Sequence, residues 1–283
     1  MSFFSFTNTI TNGISADGNN VMTNFNDVRA SLIDGTKDIN ILNATLNGLT
    51  ASRLVVTDSN KILTSSTLNA TDLFTQCTIT VFTSSGTWTK ETLNPKFVKV
   101  TEVGGGWAGG GASATGVGEG AAGAGGAGGG CSIKRILAAS LGTTETVTVG
   151  TGGVAVSGNN GGNGVTSSFG SHATATGGTG GALGNNTAGS TASAGGLGGV
   201  GSSGDVNFNG SDGSVSQVIG GSPLRTGAGG SSYLGGTIQS VNLTGQAGKL
   251  YGGGGSGAQV PASTTAKAGG NGAAGIVIVE EFY

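Results

Sequence analysis

Gly120-Ala-Ala-Gly-Ala-Gly-Gly-Ala-Gly-Gly129 places glycine at 120, 123, 126 and 129. The same spacing returns at 158, 161 and 164, at 178, 181 and 184, at 195, 198, 201 and 204, and at 269, 272 and 275. A period of three fits neither the 3.6 of an α-helix nor the 2 of a strand. It fits polyproline-II-type backbone, with three residues per turn and amides turned outward. A glycine on every third position clears one face, so neighbouring backbones can approach and exchange hydrogen bonds. Packed extended helices are therefore expected, with Ala121, Ala124 and Ala127 forming one stripe and Leu197 and Val200 another that meets something apolar.

Of 61 glycines, 56 follow residue 100. The chain divides into a glycine-poor stalk and a glycine-rich body. Glycine this abundant without a strict triplet ordinarily signals low complexity. Charged residues are only 9% here, however, whereas disordered chains are charge-rich. Strand-like runs also bracket the body, Phe97–Val103 before it and Ile276–Val279 after it, and these two are expected to pair. The energetic problem is plain: each glycine costs about 0.5–1 kcal/mol more than alanine to order. With 5% aromatic residues, backbone hydrogen bonds must supply the compensation.

Net charge is −2 without a basic patch, so a nucleic-acid partner is not expected. No run of 18 apolar residues predicts membrane insertion, and MSFFSFTNTI lacks the basic start and apolar core of a secretory signal. Cys77 and Cys131 read as two buried thiols rather than a bridge.

Along the stalk, Val21, Phe25, Val28 and Leu32 are spaced 4, 3, 4, a coiled-coil seam with Asp17 able to cap it. Two heptads need copies of themselves or a partner to hold as a helix. Residues 36–75 carry too few apolar side chains for one chain to close a core, so three chains are expected to share one. Thr78–Phe82 alternates as a strand, Gly86–Lys90 reads as a turn containing Trp88, and Thr144–Val149 reads as a half-buried strand.

Chemistry-bearing motifs are sparse. Gly118-Glu-Gly120-Ala-Ala-Gly123 matches a dinucleotide fingerprint, but chance supplies such matches in glycine-rich sequence, and no strand precedes it. Asp205-Val-Asn207-Phe-Asn209-Gly210 opens like a calcium loop, yet Ser216 stands where a bidentate glutamate is needed. Asp205, Asn207 and Asn209 are thus weak metal candidates, and no cofactor is expected. The single histidine, His172, has no relay partner. Glu119, Glu145, Asp205, Asp212, Glu280 and Glu281 are scattered, and no enzymatic activity is expected. Among the rare aromatics, Trp107 and Tyr251 sit inside glycine runs and read as plugs of glycine helices. Phe208 and Tyr233 lie in more polar connectors, where packing and ligand contact are equally open readings.

The opening SFTNTITNGISADGNNVMTNFNDV resembles the start of fibre and spike proteins that seat on a virion, and GLTASRLVVTDSNKILTSS resembles a shaft segment of trimeric fibres. FTSSGTWTK, FVKVTEVGGG, TVTVGTGG, NGVTSSFG, ATATGGTGG, YGGGGSGA and GGNGAAGIVIVEEFY together resemble a glycine-rich domain family. The whole therefore resembles a bacteriophage tail fibre, a receptor-binding protein with a C-terminal glycine-rich domain of the polyglycine-II adhesin type. The fold expected is mainly β and elongated, with a short N-terminal helix, a trimeric β shaft, and a glycine-rich domain of strands and polyglycine-II-like helices. The divisions expected are 1–35 for virion attachment, 36–75 for the shaft and 76–283 for the distal domain.

That resemblance implies a homotrimer on the virion, held to other tail or baseplate proteins by its N-terminus and acting at the host cell surface. Its partner would be a host surface protein or polysaccharide. Loops 205–219, 223–225 and 233–238 are the expected contacts. Phe208, Asn209, Asp212, Arg225, Tyr233, Tyr251 and Trp107 are the candidate side chains, with Val21, Phe25, Val28 and Leu32 as the trimerisation seam. A structural fibre or decoration protein that binds no receptor is the alternative.

Overall fold

The computed structural model describes the backbone of residues 53–57 and 63–69 and, with side chains, residues 77–91, 95–240 and 242–283. The seam Val21, Phe25, Val28 and Leu32 and the helix expected there lie outside the described residues, as does most of the expected shaft. Two compact units divide the chain, Met1–Thr67 and Leu68–Tyr283. In the stalk, β1 (Arg53–Thr57) and β2 (Leu63–Asn69) form a two-stranded sheet.

Among its described residues the second unit is mainly β and contains no closed barrel. Its strands begin with β3 (Cys77–Phe82), β4 (Gly86–Thr89), β5 (Phe97–Val103) and β6 (Ala121–Ala122). They continue with β7 (Cys131–Leu137), β8 (Thr144–Thr148), β9 (Ser167–Phe169) and β10 (Ala173–Ala175). β11 (Gly201–Ser202), β12 (Val206–Phe208), β13 (Gln217–Ile219), β14 (Ser222–Arg225), β15 (Gln259–Val260) and β16 (Ile276–Phe282) complete the set.

Two five-stranded sheets, ordered β12-β7-β5-β16-β3 and β11-β10-β9-β8-β4, pack face to face. The last strand runs antiparallel to β5, from Ile276 opposite Val103 to Phe282 opposite Phe97, as its apolar run predicts. It is an inner strand, because its other edge takes β3. Alternation sends Val98, Val100, Ile136, Val277 and Val279 inward against Trp88, Val147 and Phe169 of the other sheet. Trp88 and Phe169 meet edge to face at 5.5 Å. The expected turn at Gly86–Lys90 is instead strand β4, paired with β8, because its alternation buries Trp88.

This sandwich core is small, and the glycine segments are held differently. Successive amides of 104–112 donate to three segments in rotation. Gly104, Trp107 and Gly110 reach Gly130, Ala127 and Ala124, while Gly105, Ala108 and Gly111 reach Val165, Gly162 and Asn159. Gly106, Gly109 and Ala112 reach Ala273, Gly270 and Lys267. Segment 123–130 repeats the scheme toward 252–258, 176–182 and 211–214, and its carbonyls accept from 104–110, 196–199 and 227–230. It is thus ringed by six backbones, and each of its residues is buried. Few buried amides are left unpaired in such an arrangement, so the fold satisfies the backbone without a large apolar interior.

Close approach explains the composition. A Cβ at Gly126 would fall within 3.0 Å of the Ala108 and Trp107 carbonyls, closer than real Cβ atoms come. The alanine stripe does sit inside: Ala121, Ala124 and Ala127 are all fully buried, with Gly178 leaving room for the Ala127 methyl. Leu197 and Val200 differ from expectation. They are exposed among the described residues, because their segment lies on the rim of the lattice.

The cysteines also divide: Cys131 is buried and Cys77 exposed, both as free thiols. Cys77 begins the edge strand β3 and points off the sheet's outer face, so the expected second buried thiol is not formed.

Candidate functional site

β12 sets the first half of the site. Val206, Asn207 and Phe208 pair with Ile133, Ser132 and Cys131 at the sheet edge, which turns the Phe208 ring outward. The connector after segment 226–232 brings Tyr233 onto it, and the rings stack at 5.0 Å with 22° between planes. Phe208 remains 40% exposed and Tyr233 50%. The Ser232 hydroxyl anchors this connector by donating to the Tyr251 carbonyl and accepting from the Gly235 amide. Two aromatic residues 25 positions apart thereby form one exposed platform on a rigid support. Such a platform can stack on a sugar ring or anchor a protein contact.

Of the other candidates, Asn209 is exposed beside Phe208. Asp212 accepts a hydrogen bond from the Gly198 amide at 2.7 Å, and so ties the loop to the lattice. Arg225 is exposed at the end of β14, opposite Gln217. The loops expected over 205–219 and 223–225 are partly strand. β13 and β14 form a hairpin whose two turn residues, Gly220 and Gly221, have φ of 54° and 72°, the pair of positive values a type I′ turn requires. Tyr251 is half-buried against Val103, Cys131 and Ile276, a packing role.

Trp107 lies in the middle of segment 104–112 rather than at the end of one, and is 9% exposed. It lines an open groove of about 350 Å³ with Asn160, Asn163, Thr179 and Ala182. Its indole N–H has no hydrogen-bond partner among the described residues and lies beside Gly177.

The calcium-like string is used otherwise. An Asp205 carboxylate oxygen accepts from the Arg135 amide at 2.8 Å, and Asn207 both accepts from and donates to Gly204. Being partly on a strand, the string alternates its side chains between two faces instead of converging them. The scattered acids share this behaviour. Glu119 accepts from the Gly116 amide and Asn186, which holds its carboxyl below the usual range, and Glu145 accepts from the Gly142 amide. His172 lies 3.4 Å from Glu145.

Glu102 escaped the sequence reading, whereas Cys131 is buried as expected. Both are fully buried, Glu102 on the sheet face turned into the sandwich and Cys131 on the opposite face against Val103 and Ile276. Neither carboxylate oxygen of Glu102 has a hydrogen-bond partner of good geometry among the described residues, and desolvation pushes its pKa up to about 8 against the weaker opposing pull of the nearby Phe169 backbone and Lys134. Burial and the neighbouring Glu102 push the Cys131 thiol up to about 12. Strand alternation could have flagged Glu102 as inward-facing, since it follows Val98 and Val100.

No curated protein matches the chain. The model of a family described as a glycine-rich domain matches residues 83–281, a span that takes in the platform, both sheets from β4 onward and every segment of the hydrogen-bonded lattice, and the chain belongs to that glycine-rich domain family.

Proposed function

We propose that this protein is a bacteriophage tail fibre that recognises the host cell through the distal face of its glycine-rich domain. It acts without catalysis or cofactor, as a homotrimer seated on tail or baseplate proteins by its N-terminal stalk. The glycine segments are polyglycine-II-type helices in this reading, because each donates successive amides to three neighbours in rotation, as a three-residue turn does. The observation that carries the recognition role is the Phe208–Tyr233 stack, an exposed aromatic pair assembled from the end of β12 and the connector that carries Tyr233. Its chemistry suits a surface polysaccharide or an exposed protein loop.

The test is adsorption of purified protein to intact host cells. The double variant Phe208→Ala/Tyr233→Ala should lose most binding while melting within a few degrees of the parent. Unchanged adsorption would refute the role of the platform. A structural spacer without a receptor has one observation in its favour: Glu119, Glu145, Asp205 and Asp212 all spend their carboxylates on the protein's own backbone. On that reading the parent protein itself fails to bind cells.

A further inference from the structure

Among the described residues, no layer covers the outer face of the β12-β7-β5-β16-β3 sheet over the half that carries Cys77, Phe97, Leu137 and Phe282. Strand register assembles it in rows. Val81, Ile278, Thr101, Ile133 and Val206 form one, and Cys77, Phe282, Phe97 and Leu137 another. Between them runs Ile79, Glu280, Lys99 and Arg135, with Asp205 accepting from the Arg135 amide at the edge. Ile79, Val81 and Leu137 are 60%, 52% and 62% exposed. Phe97 and Phe282 stack at 4.6 Å with the Arg135 guanidinium over the Phe97 ring, and Lys99 pairs with Glu280 at 2.7 Å.

We propose that this face is the contact between copies of the chain. The inference rests on the homotrimer in the function proposed above and names the surface that would form it. Continuity supplies the first argument. The face begins at Cys77, directly after residues 36–75, whose apolar side chains are too few for a core of their own. Copies that share a core along that stretch would each continue from it into β3.

Charge supplies the second argument. Glu280 and Asp205 flank the adjacent Lys99 and Arg135 in one row, so the acidic ends of the row on one copy can meet the basic centre of the row on the next without a net like-charge clash. Area supplies the third. Four strands spaced ~4.8 Å apart, about five residues long at ~3.3 Å each, present roughly 320 Å² of flat face. That is within the range of the largest patch on a monomer and about two-fifths of the ~800 Å² per partner in a stable pair, leaving the stalk to provide the rest. Among the described residues β3 also has no strand on its other edge, a feature that isolated proteins ordinarily blunt with charge; here Ile79 and Val81 stand on it instead. The face ends at the Val206 row, one row short of Phe208, so the Phe208–Tyr233 platform lies at its border.

Sedimentation of the full-length chain gives its mass, and amine cross-linking with peptide mass analysis gives its contacts. A link from Lys99 to Lys99 joins two copies by definition. The parent should sediment as an oligomer and yield that link. Ile79→Glu/Leu137→Glu should reduce the link at least tenfold, whether or not the stalk still holds the copies together. Val154→Glu/Leu243→Glu, at exposed positions away from this face, should leave it unchanged and so report on general effects of added charge. A monomeric parent, or an oligomer whose Lys99 link is absent or survives the first variant, overturns the proposal. Neither readout involves host cells, so failed adsorption with the link present counts against the receptor role alone.

Discussion

Gly126→Ala places one methyl group at the centre of the lattice. Gly126 donates to Gly255 and accepts from Gly230, at 2.9 and 2.8 Å, while its added Cβ would collide with the Ala108 and Trp107 carbonyls. Both obstacles are backbone, so no side chain can swing aside. Relief requires segment 104–112 to move off 123–130, which stretches the Trp107–Ala127 and Gly110–Ala124 bonds of 3.0 and 2.8 Å. Overpacking costs about 1–3 kcal/mol, and two weakened backbone bonds add about 2 kcal/mol. The loss of glycine freedom in the unfolded chain returns about 0.4–1 kcal/mol. The net loss is about 2–4 kcal/mol, or roughly 4–16 °C in Tm for a domain near 200 residues. Gly236→Ala is the matched control: nothing lies within 4 Å of its would-be Cβ and its φ is not positive, so it should raise Tm slightly. Thermal unfolding followed by circular dichroism decides the matter. Equal shifts in the two variants, or a Gly126→Ala protein melting like the parent, would refute the claim that backbone contact holds this domain together.

The buried Glu102 gives a pH signature. Its folded pKa lies near 8, above the ordinary 4.5, so the native state binds the proton more tightly. Stability from this group is full below pH 4.5 and declines at about 1.4 kcal/mol per pH unit until pH passes 8; Glu102→Gln should flatten that slope in urea titrations at pH 5, 6.5 and 8. Cys131, buried with its pKa raised to about 12, should resist iodoacetamide at pH 8 until the fold is lost, and modification in the native state would contradict its placement. Phe169→Ala removes the ring that meets Trp88 and should cost about 3–5 kcal/mol by calorimetry, whereas Phe208→Ala, half exposed, should cost less than 1 kcal/mol.

The sequence was most informative where spacing and neighbourhood coincide. The period-three glycines signalled backbone contact because only absent side chains permit it, and the Ala121–Ala127 stripe fell inside as its spacing implied. The partnership of Ile276–Val279 with Phe97–Val103 was legible from two apolar runs at the ends of one body. Trp88 was not placed, because four residues containing a glycine give too little alternation to distinguish strand from turn. Leu197 and Val200 were misjudged because a triplet stripe fixes which side chains align, not whether their segment lies at the rim. The Phe208–Tyr233 stack was hidden for a related reason: each ring was visible as a rare aromatic, but their meeting is set by which segments adjoin across the lattice.

The rotation of amide donors among three neighbours also governs when the molecule can be assembled. Gly106 and Gly109 draw on Ala273 and Gly270, so an early stretch of the body waits for one of the last to be synthesised. β5 likewise gains one of its neighbours only from the final strand. Contacts of such long sequence range make folding slow, and a ribosome-bound chain would hold 104–130 without its ring of partners until residues 252–282 have emerged. Loss of residues 267–282 would therefore undo the centre of the domain rather than trim its margin, which makes that stretch the condition for any of it to form.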